Sequence, residues 1–157
     1  MLGRRKALFA LGGAFITLTF GGLFASRAFA QKPEIYTGIV AGKAAGGYDV
    51  VAYFTEGKPR KGSPRFATQW KGATWEFSSA ANLEKFKANP APFAPQYGGH
   101  CAYGLAHGYL VKGDPAQWRI VDGKLYLNYS ADVQRQWLRD IPGFIQKSDV
   151  NWPGVLK

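Results

Sequence analysis

The chain has a single cysteine, Cys101, and only two histidines among its 157 residues. One thiol excludes an intrachain disulfide, so Cys101 is left as a packed core residue, a metal ligand or a redox group. There is no dense Lys/Arg run and no basic helix, which argues against nucleic-acid binding despite a formal net charge of +10. The sequence also shows no glycine-rich phosphate loop, no low-complexity tract, no internal repeat and no strand–helix–strand repetition. Without those, a doubly wound nucleotide-binding sheet is removed, and a small α+β domain remains. No Ser/His/Asp set or paired carboxylates can be assigned, which removes hydrolase chemistry.

What is present begins with an address. Arg4, Arg5 and Lys6 precede an uncharged apolar stretch from Ala7 to Ala25, and Ala28-Phe29-Ala30 offers a small-x-small cleavage site. Residues 1–30 therefore read as a signal peptide cleaved after Ala30, and the paired arginines suggest the twin-arginine route. The expected location is the periplasm. Left uncleaved, the same segment is nearly long enough to anchor the chain in a membrane. Arg4, Arg5, Lys6 and Arg27 are the only charges in the segment, so cleavage lowers the net charge from +10 to +6 over residues 31–157. That length suits one domain with one core.

The mature chain alternates turn signals with short apolar segments. Ile35, Thr37 and Ile39 suggest an edge strand, and Tyr48–Phe54 is too short for its period to decide between helix and strand. Two hairpins are expected, around Lys71-Gly72 and around Asp122-Gly123. Ser78 or Ser79 can cap a helix running to Ala88, with Leu83 and Phe86 on its buried face, and Ser130 can cap another containing Val133 and Trp137. Asp114-Pro115 reads as a helix start, as does Pro142. The fold class is α+β, built from short antiparallel hairpins and short helices.

Cys101 follows Gly98-Gly99-His100, where a loop is expected to turn into a helix. In a first helical turn, beside a cationic His100, a thiol has two reasons to ionise. The soft or borderline metal ligands within the mature chain are Cys101, His100 and His107, with Asp49 as an oxygen donor. On one straight helix His100 and His107 would share a face about 10 Å apart, too far for one ion. A shared site needs the helix to end early, near Gly104, or needs Asp49 to approach from another segment.

The run WEFSSAANLEKFKANPAPF, Trp75 to Phe93, resembles the second half of a YHS domain, a small metal-associated module; Phe77, Ser79, Phe86, Asn89-Pro90 and Phe93 fall in register. GYDVVAYF, APQYGGHCAY and VDGKLYLNYS extend the resemblance to exported bacterial YHS-domain proteins, some of them described as selenoproteins with selenocysteine at the position of Cys101. Ser78 and Asn82 stand where metal-binding members carry cysteines, and a third cysteine near Val50-Val51 is missing, so the resemblance implies the fold and not the usual metal site. Selenium in relatives implies redox use of Cys101.

The expected function is a small metal- or redox-handling binding protein centred on Cys101. Its partners would be copper, zinc, a small thiol or a protein thiol. The alternatives are a thiol-dependent oxidoreductase using Cys101 alone, or an accessory protein with an inert buried cysteine.

Overall fold

The computed structural model describes residues 30–157, so the expected signal segment lies outside the described residues except for Ala30. Among those described, no helix is long and apolar enough to cross a membrane. Over the described residues, five short α-helices and two separate two-stranded antiparallel sheets make an α+β fold. The expected edge strand at Ile35–Ile39 does not form; its backbone runs irregularly over the surface, and Tyr36 N–H donates to the Gly98 carbonyl.

Strands β1 (Ser63–Trp70) and β2 (Ala73–Phe77) pair around Lys71-Gly72, both with positive φ (49° and 74°). Strands β3 (Asp114–Val121) and β4 (Lys124–Asn128) pair around Asp122-Gly123, with φ of 49° and 73°. Two consecutive left-handed residues make the tight turn whose twist matches a hairpin. Asp114-Pro115 thus opens a strand and not the helix its residue types suggest. Asp114 pairs with Asn128, and its side chain accepts the Ala116 N–H, a local turn bond that a helix cap would also have made.

The two hairpins are copies of one another. Ser63 faces Phe77 and then, after a bulge, Ala67 faces Glu76; Asp114 faces Asn128 and, after the same bulge, Trp118 faces Leu127. A serine caps the helix after each hairpin, Ser79 for α2 (Ala80–Ala88) and Ser130 for α4 (Ala131–Trp137). In each unit a strand aromatic packs on a helix aromatic: Trp75 on Phe86 at 5.0 Å and Tyr126 on Trp137 at 5.6 Å.

The copying extends upstream. A 3-10 turn at Ala44–Gly47 precedes α1 (Ala52–Thr55), and one at Gln96–Gly99 precedes α3 (Ala102–Ala106). Ala45-Gly46 and Tyr97-Gly98 adopt the same left-handed pair of conformations. Gly62 N–H donates to the Gly47 carbonyl as Gly113 N–H does to Gly99, and Asp49 N–H donates to Arg60 as Cys101 N–H does to Val111. The chain is therefore an internal duplication, which corrects the expectation of no repeat. Side-chain divergence hides it; the backbone bonds preserve it.

Strand β4 joins two cores. Leu125 and Leu127 pack with Val50, Trp75, Phe77 and Phe86 on one side, while Tyr126 faces Leu105 and Trp137 on the other. The second core is closed by a fifth helix, α5 (Ile141–Asn151), with Pro142 in its first turn as expected. Ser148 of α5 is fully buried and its hydroxyl donates to the Ala102 carbonyl, tying α5 to the start of α3.

Candidate functional site

The duplication makes Asp49 and Cys101 counterparts. Each lies just ahead of the short helix of its unit, Asp49 two residues before the N-cap Val51 and Cys101 as the N-cap itself, and each is fully buried. Asp49 is enclosed by five donors. Its Oδ1 accepts the N–H groups of Val51 (2.9 Å) and Ala52 (3.2 Å); its Oδ2 accepts Ser78 N–H (2.8 Å), Ser78 Oγ–H (2.6 Å) and Asn82 Nδ2–H (2.8 Å). With both oxygens taken, Asp49 is a structural anchor joining α1, the end of β2 and α2.

Cys101 is the N-cap of α3, one residue before its first turn. Its Sγ accepts the N–H groups of Tyr129 (3.2 Å) and Gly104 (3.4 Å), and its S–H reaches toward Asn128 Oδ1 at 3.8 Å. Burial pushes the thiol above its usual range, and the N–H groups of Gly104, Tyr129 and Tyr103 pull only partly the other way. The expectation of a lowered thiol is corrected by that direction: α3 is only five residues long, and Cys101 is buried. Cys101 helps to line a depression of about 220 Å³, together with Tyr103, Gly104, Tyr109, Val111, Tyr129 and Val133. Tyr109 and Tyr129 are exposed at its rim.

His100 faces elsewhere. It lines a separate hollow of about 380 Å³ with Lys32, Pro33, Ile35, Tyr36 and Leu110, and its ring meets Tyr36 edge-on at 5.3 Å. Only 6 % of it is exposed, and neither ring nitrogen makes a hydrogen bond of good geometry, although the Val111 and Pro33 carbonyls favour the charged ring. Burial is the larger effect and lowers the His100 pKa. His100 is therefore not the cation expected beside Cys101.

His107 is the C-cap of α3, exposed, with Nδ1 2.8 Å from the Tyr103 carbonyl and its ring 4.4 Å from that of Tyr103. The helix does end early, at Ala106, yet His107 turns back onto α3 and not toward the sulfur.

The four residues expected to share a site are thus placed in four settings. Among the described residues, no three of His, Cys, Asp and Glu gather as a metal would need. These side chains do not fit a common ion.

Three residues given no part at the sulfur in the sequence reading shape its surroundings: Asn128, Tyr129 and Gly104. The signal that could have found them is the echo of Gly46-Gly47-Tyr48-Asp49 in Gly98-Gly99-His100-Cys101, of Lys61-Gly62-Ser63-Pro64 in Lys112-Gly113-Asp114-Pro115, and of Ser79-Ala80 in Ser130-Ala131. The chain matches no family model, no curated protein and no solved structure.

Proposed function

We propose that this chain is a small exported redox-handling module of YHS-like fold, whose working atom is Cys101 Sγ. The observation that supports it is the tyrosine-rimmed depression that Cys101 helps to line, with a sulfur that already accepts two backbone N–H groups. The sulfur attacks the terminal oxygen of a hydroperoxide. An S–O bond forms, the O–O bond breaks, and the alcohol leaves with the thiol proton: Cys–SH + ROOH → Cys–SOH + ROH. Sulfur loses two electrons and the hydroperoxide gains them.

No second cysteine exists to resolve the sulfenic acid within the chain. An outside thiol must do so: Cys–SOH + R′SH → Cys–S–S–R′ + H₂O. Because burial disfavours the thiolate, the step is slow at neutral pH, which suits a sensor or store of one oxidising equivalent better than a turnover enzyme. Reduced protein mixed with a small alkyl hydroperoxide should consume one equivalent and gain one oxygen at Cys101 by mass, with Cys101→Ser inert. Unchanged protein mass after prolonged exposure to excess hydroperoxide would overturn the reading.

A further inference from the structure

We propose that Cys101 is a site of oxidation to sulfinic acid, the sulfinate being held in the cradle that the first unit uses for Asp49. This rests on the reading of Cys101 as an oxidisable thiol. A sulfinate carries two oxygens and a negative charge on the atom next to Cβ, the same connectivity as an aspartate side chain.

The second unit keeps the counterparts of three of the donors that hold Asp49. Val51, Ala52 and Ser78 N–H groups correspond to those of Tyr103, Gly104 and Tyr129. In the reduced protein these donors are poorly matched. Gly104 and Tyr129 donate to sulfur, a weak acceptor, and Tyr103 N–H is diverted to Asn128 Oδ1 at 3.3 Å.

Asn128 is the independent sign. It is fully buried, its carboxamide lies against the sulfur, and its Nδ2 has no hydrogen-bond partner. A buried donor with no acceptor is costly. In the first unit the corresponding service is done by Asn82, whose Nδ2 donates to Asp49; Val133 fills that position in the second unit, so no donor comes from there.

Two oxygens on Sγ would give the Tyr103, Gly104 and Tyr129 N–H groups anionic acceptors. Asn128, released by Tyr103, could turn its amide over and donate Nδ2 to the same group. The oxidised side chain satisfies every donor that the thiol leaves short.

The chemistry takes a second hydroperoxide from the depression that Cys101 helps to line: Cys–SOH + ROOH → Cys–SO₂H + ROH. A second S–O bond forms, the O–O bond breaks, sulfur loses two more electrons, and the sulfinic proton passes to solvent. With no resolving cysteine in the chain, the sulfenic acid waits for either a thiol or this second oxidation.

The test compares full-length Cys101→Asp with Cys101→Ala, and wild type before and after excess alkyl hydroperoxide. Cys101→Asp should melt roughly 4 °C or more above Cys101→Ala, and wild type carrying two added oxygens should melt above the reduced form. Cys101→Asp that melts below Cys101→Ala or fails to fold overturns the cradle, as does a sulfinate that lowers the melting temperature. Oxygen uptake at Cys101 with a destabilised Cys101→Asp sinks the cradle alone; no oxygen uptake at all sinks the redox reading with it.

Discussion

Asp49→Ala is expected to be among the most damaging single changes in the chain, and the structure sets its size. The substitution removes the acceptor of five donors. They do not all suffer equally. Ser78 is part-exposed, so its N–H and hydroxyl can turn to water, and Ala52 N–H keeps a bond to the Asp49 main-chain carbonyl at 3.2 Å.

Val51 N–H and Asn82 Nδ2 have no such recourse, at 0 % and 7 % exposure. Two sealed donors at about 1–3 kcal/mol each give a loss of roughly 2–6 kcal/mol. That is a large part of the 5–15 kcal/mol typical of a domain. Asp49→Asn keeps an oxygen for Val51 and Ala52 but turns an NH₂ toward three donors; it should lose roughly half as much. Urea titration followed by tryptophan fluorescence reads the change as a shift in midpoint at constant slope. A loss under about 1 kcal/mol for Asp49→Ala would show that the five-donor cluster does not hold the first unit together.

Gly98→Ala should cost about 2–4 kcal/mol, since a methyl group there would collide with the Glu34 carbonyl oxygen at a φ of +63°; amide exchange should show Ile35–Thr37 opening, and unchanged protection would refute it. His100 has a folded pKa below its ordinary 6.5, so its contribution is present above that value and is lost as pH falls through the folded one. Wild type should therefore lose stability on acidification relative to His100→Phe, by at most about 1.4 kcal/mol per pH unit, and parallel curves would count against the buried neutral ring. Cys101 is shifted the other way: stability is present below the usual thiol range and declines as pH rises through the folded value, so alkylation by iodoacetamide should accelerate only at alkaline pH. A fast rate at pH 7 would contradict the upward shift of the buried thiol.

Turn chemistry was readable from the residues. Lys71-Gly72 and Asp122-Gly123 make the expected hairpins, Ser79 and Ser130 the expected caps, and Pro142 the expected helix start. Each of those signals is local, carried by one or two residues whose backbone preferences decide the outcome. Asp114-Pro115 misled because the same pair suits a strand entry as well as a helix entry, and pairing with Asn128 decides between them.

The surroundings of Cys101 were not readable, because they depend on contacts across the chain. Tyr129 and Asn128 reach the sulfur from the far end of β4, 27 or 28 residues away. The electrostatic expectation failed for a related reason: a thiol at a helix start is helped by nearby N–H groups, yet here desolvation outweighs them.

A molecule assembled from two matching halves carries its own yardstick. One half presents two carboxyl oxygens to a ring of amides; the other presents a single sulfur to what remains of the same ring. Any chemical event that brings oxygens to the second half would make the two sides more alike, so the reacted protein would be the more symmetrical of the two. Backbone amide shifts at Tyr103, Gly104 and Tyr129, read beside those of Val51, Ala52 and Ser78 in the same spectrum, would register that convergence without any label.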